Sequence, residues 1–181
     1  MGESTTRYFR DKPAMRMRGE DAGLPVPPWV HLLNDDRVWE FTEPSRHPGC
    51  SSRAPWPGQW ASAKSIRAKN SPPSTRNRGD QRSFHLPEKY VPGDVFHVDS
   101  IVYEGEILFA VASRYGRPPL DVPHGGGVFS THLVERGSPI EKALLETNAR
   151  ALPGFGLVRG VSHTGYIRSH SGEIYFLETS A

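Results

Sequence analysis

Residues 95–114, VFHVDSIVYEGEILFAVASR, decide the fold. Two runs rich in β-branched and aromatic residues, VFHVDSIVY and EILFAVASR, flank Glu104-Gly105, and a short glycine-containing break between such runs predicts a β-hairpin. Next comes the glycine run Gly125, Gly126, Gly127 in HGGGVFSTHLVE. Ser138-Pro139-Ile140-Glu141 is a capping box with proline at the first helical position, and it opens a helix with Ile140, Ala143, Leu144 and Ala151 on one side. Pro153-Gly154 ends that helix. The strands GLVRGVSHTGYI and EIYFLETS, joined by a turn around Ser171-Gly172, form a second hairpin. Residues 84–181 therefore read as one α+β unit, two antiparallel hairpins flanking a helix, and the stop at Ala181 directly after a strand reads as abrupt.

Upstream, residues 7–43 also look folded. Asp11 caps a helix running to about Ala22, Gly23 stops it, and LPVPP forces an extended exit because proline fixes φ and constrains its predecessor. A strand is expected at WVHLL, followed by a short helix capped by Asn34 and Asp35 that carries Val38, Trp39 and Phe41.

Residues 47–83 differ in kind. HPGCSSRAPWPGQWASAKSIRAKNSPPSTRNRGDQRS holds one aliphatic β-branched residue, Ile66, and no Leu, Val, Met or Phe. Its seven Lys/Arg against the single acid Asp80 give a local charge of +6, which leaves −4 for the rest of a chain whose formal charge is +2. Such a stretch buries too little apolar surface to offset the entropy of ordering it, so disorder is expected. Its Arg/Pro/Ser/Ala/Trp/Gly bias also fits a GC-rich gene read out of frame. The organisation expected is thus 1–46, a basic middle 47–83, and 84–181.

The whole chain has 181 residues, of which 36% are apolar and 35 are Gly or Pro, which excludes collagen, coiled coil and acidic tails. No apolar window is long enough to span a bilayer and the start lacks a signal-peptide layout, so a cytoplasmic address and no membrane partner are expected. The lone Cys50 cannot form an internal disulfide. The eight histidines show none of the zinc-ligand spacings, so no zinc site is expected, and His97 and Asp99 read as polar-face strand residues.

Three C-terminal stretches, EKYVPGDVFHVDSIVY, SRYGRPPLDVPHGGGVF and GVSHTGYIRSHSGEIYFLETSA, together with RYFRDKPAMRMRGEDAGLPVPPWV near the start, resemble the ATP-grasp family of carboxylate-amine and carboxylate-thiol ligases. The resemblance implies a partial ATP-grasp α+β fold with ATP and magnesium as cofactors. Lys12 matches the family's first phosphate-contacting lysine, a compact point charge suited to a triphosphate. Glu88, Lys89 and Val91 fall on the adenine-binding linker. Arg114 and Arg117 are candidate clamps for a phosphate or substrate carboxylate, and the glycines 125–127 a candidate anion cradle. Glu178 matches the acid that holds magnesium, an ion that requires hard oxygen ligands.

The chain also departs from the pattern. Gly165 stands where a second magnesium acid is expected, Ser180 where many members carry asparagine, and Val95 where a ribose-binding acid often sits, with Asp94 one residue off. Neither Lys64 nor Lys69 fits the family's second phosphate lysine, and the substrate domain that normally precedes Arg7 is missing. The expectation is an ATP-grasp fragment that binds nucleotide and magnesium, with weak or no catalysis. Intact relatives would join a small carboxylate to an amine through an acyl phosphate. Two further readings stand beside it: a non-enzymatic nucleic-acid binder using the basic segment with Trp56 and Trp60 as stacking platforms, and a gene fragment without selected activity. Substrate identity and oligomeric state are not legible.

Overall fold

The computed structural model describes residues 3–33, 35–42, 86–117 and 128–181. Asn34, Cys50, the basic stretch 47–83 and the glycine run 125–127 lie outside the described residues. The chain divides into two compact units, one made of Met1–Val26 with Val91–Ala181, the other of Pro27–Tyr90.

The first unit is built on a five-stranded antiparallel sheet of β1 (Gly93–Tyr103), β2 (Glu106–Tyr115), β3 (Thr131–Leu133), β4 (Gly160–Ser169) and β5 (Ile174–Ser180), in the order β3-β2-β1-β4-β5. Both expected hairpins are present. Glu104 and Gly105 adopt φ of 54° and 81°, the paired left-handed conformation of the two-residue turn that matches strand twist. The hairpins join through β1 and β4, with His97 opposite Gly165 and Asp99 opposite His163. Because side chains alternate across a strand, Phe96, Val98, Ser100 and Val102 of β1 share one face with Ala112, Tyr166 and Thr164, all buried.

That face is covered by an α-helix, Pro139–Gly154. Among the described residues three shorter helices precede it in the chain, α1 (Glu3–Arg7), α2 (Lys12–Asp21) and α3 (Asp35–Thr42), and the long helix is here α4. In α4 the Ser138 hydroxyl accepts the Glu141 N–H at 3.3 Å, while the Glu141 carboxylate reaches back to accept the Gly137 N–H at 2.6 Å. This is the expected capping box, displaced by one residue on the return arm. Pro153 lies inside the last turn rather than beyond it, and the helix runs to Gly154. Leu144, Ala151 and Leu152 enter the core with Phe96, Val98, Phe155 and Phe176. Full burial of each large apolar side chain stabilises the unit by about 1.5–3 kcal/mol.

A polar link is set within this core. Asn148 of α4 donates to the Ser100 hydroxyl at 2.9 Å and accepts from the Tyr166 hydroxyl at 3.0 Å, all three groups being buried.

On the β5 side, α2 begins where Asp11 predicts, the Asp11 carboxylate accepting the Ala14 N–H at 3.3 Å, and ends before Gly23, whose φ is +69°. The edge of β5 is closed against further strand pairing. Pro25 O accepts the Phe176 N–H at 2.8 Å, the Arg16 guanidinium donates to Leu177 O, and Met15 Sδ lies 3.4 Å from the Thr179 N–H.

In the second unit, Leu32, Val38 and Leu86 are buried. Among the described residues the strand expected at WVHLL is represented by the single bridge Trp29–Glu88, with Val30 N–H bonded to Pro87 O at 3.1 Å and Lys89 N–H to Pro28 O at 2.8 Å. Pro28 and Pro87 lack the N–H groups that would return these two bonds, so among the described residues the pairing does not extend beyond one rung. The short helix over Val38 and Phe41 is present as α3.

Candidate functional site

The sheet face away from α4 carries the odd-numbered residues of β1. His97 and Asp99 lie there, flanked across the register by Gly165 and His163 of β4, and these in turn face Glu178 and Ser180 of β5. Glycine at 165 leaves the backbone bare between Glu178 and His97; a Cβ at that position would stand 3.4 Å from Glu178 Cγ.

Lys12, the first residue of α2, reaches over β5 and forms an ion pair with Glu178. Partial burial pushes the Glu178 carboxyl up, but Lys12, through its charge and its hydrogen bond, followed by Arg16 and His163, outweighs this and holds it below the usual carboxylate value. A lowered folded-state pKa stabilises the fold above the unfolded value, and that stabilisation is lost as pH falls through the folded value. Because the Glu178 side chain is 56% exposed, the pair is worth less than about 1 kcal/mol. Urea titrations from pH 7 to 3 are therefore expected to show a small stability advantage of the native chain over Glu178→Gln that vanishes at the acid end. An advantage that persists there would disprove the assignment.

Beside this pair, Asp99 stands between two imidazoles. His97 Nδ1 lies 2.9 Å from Asp99 Oδ2 and His163 Nδ1 lies 2.7 Å from Asp99 Oδ1, with the two rings 4.7 Å apart. The His97 ring also packs 5.1 Å from Tyr115. Burial, ahead of the opposing pull of Asp99, lowers the His97 pKa; burial, then the charges of Glu178 and Asp99, raises that of Tyr115. An open pocket of about 540 Å³ adjoins the cluster, with Arg10, Asp99, His163 and Ser180 as polar wall and Ile101, Phe109 and Val161 as apolar wall.

Lys12 and Glu178, separated by most of the sequence, are thus brought together within the first unit. Glu88 and Lys89 belong to the second unit, where the Lys89 ammonium lies 5.5 Å above the Phe41 ring; Val91 begins the return to the first. Arg114 shares the α4-side face with Phe96 and is bonded to Asp94 at 2.6 Å, while Arg117 is exposed just past β2. The sequence reading overlooked Arg16, His163 and Tyr115. Their strand or helix positions were visible, but their grouping depends on pairing between distant segments. His97 is also more than a polar-face residue, since it is 7% exposed and sits within the cluster.

No protein-family model matches the chain. Over 92 residues, 51% of the chain, it is 28% identical to an L-arginine-specific L-amino acid ligase of Bacillus subtilis, of which it covers 22%. An L-amino acid ligase from Bacillus licheniformis superposes over 100% of the chain with a TM-score of 0.69 at 16% identity. The ATP-grasp ligase PsnB superposes over 98% with a TM-score of 0.63 at 15% identity. This is a partial ATP-grasp fold. The chain spans 42% and 53% of the length of those two solved chains. Within the ATP-grasp fold, the sheet face bearing Lys12 and Glu178 opens to solvent, and the α4-side face is core. Among the described residues no helix is long and apolar enough to cross a membrane.

Proposed function

We propose that the chain is an ATP-grasp module that binds a nucleoside triphosphate together with magnesium at Lys12 and Glu178, and that it is related to ligases that couple a carboxylate to an amine through an acyl phosphate. The observation that carries this reading is the convergence of Lys12 and Glu178, one cation suited to phosphate and one carboxylate suited to a hard metal ion, on the solvent-facing side of the sheet.

The donor set fits magnesium at its lower limit. Magnesium is commonly held by one or two carboxylates with the substrate's phosphates completing the shell, and Glu178 supplies one. Gly165 supplies none, and the Thr179 hydroxyl is turned away to Thr164 at 2.9 Å. When bound, magnesium supplies charge neutralisation at the phosphate oxygens. Lys12 would hold a phosphate, Glu178 the metal ion and Arg117 an anionic substrate group, while Arg114 lies on the α4-side face bonded to Asp94; Glu88, Lys89 and Val91 are the residues that the family resemblance offers for the base. With one metal carboxylate in place of two, and each preorganised electrostatic group worth about 10²–10³ in rate, weak or no catalysis follows. Support for the ligase class comes from the relatives by name, and one solved structure of PsnB contains Mg and ADP.

Thermal melting with millimolar Mg-ATP tests the reading. We expect a rise in Tm that is lost in Lys12→Ala and enlarged in Gly165→Asp, which returns a second carboxylate opposite Glu178. A native chain whose melting ignores Mg-ATP, or a shift unaltered in Lys12→Ala, would overturn it.

A further inference from the structure

The cluster beside the proposed nucleotide site has its own chemistry. His97, Asp99 and His163 each present a ligand atom, and these atoms lie within 4.8 Å of one another. All three residues stand on neighbouring, register-paired strands, β1 and β4, so the rigid sheet rather than a loop sets their spacing. Asp99 engages both Nδ1 atoms, so the three ligand atoms already converge on one point, while Nε2 of His97, whose side chain is 9% exposed, has no partner among the described residues and stays outside the proposed coordination.

We propose that His97, Asp99 and His163 form a binding site for a borderline divalent transition cation of the zinc type, distinct from the carboxylate site at Glu178. Two imidazoles and one carboxylate form a donor set that suits zinc, cobalt or iron and disfavours magnesium, which prefers oxygen ligands alone. Ligand atoms bound to one tetrahedral zinc are roughly 3.3 Å apart; the Nδ1 contacts of 2.9 and 2.7 Å to the two Asp99 oxygens must open slightly, and the widest pair, within 4.8 Å, must close, for one ion to engage all three residues. The nitrogens bind as neutral imidazoles, each Nδ1 proton passing to Nε2 of its own ring. His163 is the half-exposed member and borders the pocket, so the cation has a route in and its fourth position faces that space. Local spacing hides the site because His163 comes from the second hairpin, which is why the histidine pattern alone excludes zinc.

Cobalt titration of the chain, prepared without a histidine tag and freed of metal by chelation, tests the proposal. We expect one equivalent of Co²⁺ to give the strong visible bands of a four- or five-coordinate site and one equivalent of Zn²⁺ to bleach them. His163→Gln and Asp99→Asn, checked for folding by circular dichroism, are expected to weaken binding by at least about tenfold, whereas Glu178→Gln is expected to retain it. Absence of the bands in the native chain would overturn the proposal, as would bands that survive both substitutions. Loss of Mg-ATP stabilisation with the cobalt spectrum intact would count against the nucleotide reading alone.

Discussion

Phe176→Ala is expected to destabilise the sheet unit by about 3–5 kcal/mol, the range for truncating a fully buried aromatic residue. Phe176 is 0% exposed and is the hub of an aromatic chain, its ring 5.1 Å from that of Phe155 and 6.2 Å from that of Tyr166, with Phe155 in turn 5.8 Å from Phe9. It also lies against α2, since a Cβ on Gly19 would come within 3.3 Å of the Phe176 ring. Removing the ring therefore opens a cavity shared by α2, β5 and the helix end at Phe155, and none of these elements is free to collapse into it. Urea unfolding followed by near-ultraviolet circular dichroism measures the loss. A change below about 0.5 kcal/mol, the ordinary range for a surface site, would show that this residue is not core.

Asn148→Leu is expected to cost about 2–4 kcal/mol although it replaces a polar side chain by an apolar one of similar size. Asn148 is 0% exposed, and its amide serves two hydroxyls, Ser100 on β1 and Tyr166 on β4. The leucine leaves both without partners, and each unsatisfied buried group costs about 1–3 kcal/mol. The triple change Asn148→Leu, Ser100→Ala, Tyr166→Phe removes every orphaned group and is expected to recover most of the loss. If the triple variant is no more stable than the single one, the penalty arises from packing and not from hydrogen bonding.

The parts of the fold that were legible in the sequence are those set by neighbouring residues. The Glu104-Gly105 turn, the Ser138–Glu141 cap and the Asp11 cap each involve groups within a few positions of one another, and each forms as its chemistry dictates. Pairing of β1 with β4, which builds the sheet from two hairpins, unites segments separated by β2, β3 and α4 and has no local signature. The same distinction explains the site. Lys12 and Glu178 could be singled out only through the resemblance to a family, and the His97–Asp99–His163 group emerges only once Asp99 is known to face His163. At WVHLL, apolar content suggested a strand, but the prolines on both partners decided otherwise.

Under the proposed function, the contact between Lys12 and Glu178 bears on which visitors the sheet would accept. A bare dication arriving alone must evict the ammonium from its carboxylate, and a bare triphosphate must strip the carboxylate of its ammonium; either way one member of a satisfied couple is stranded. A visitor carrying both signs at once lets each member exchange its old companion for a new one. On the proposed function, a single couple of side chains would thus favour the preassembled metal–triphosphate over its separate components, by less than about 1 kcal/mol, the most that this exposed pair is worth.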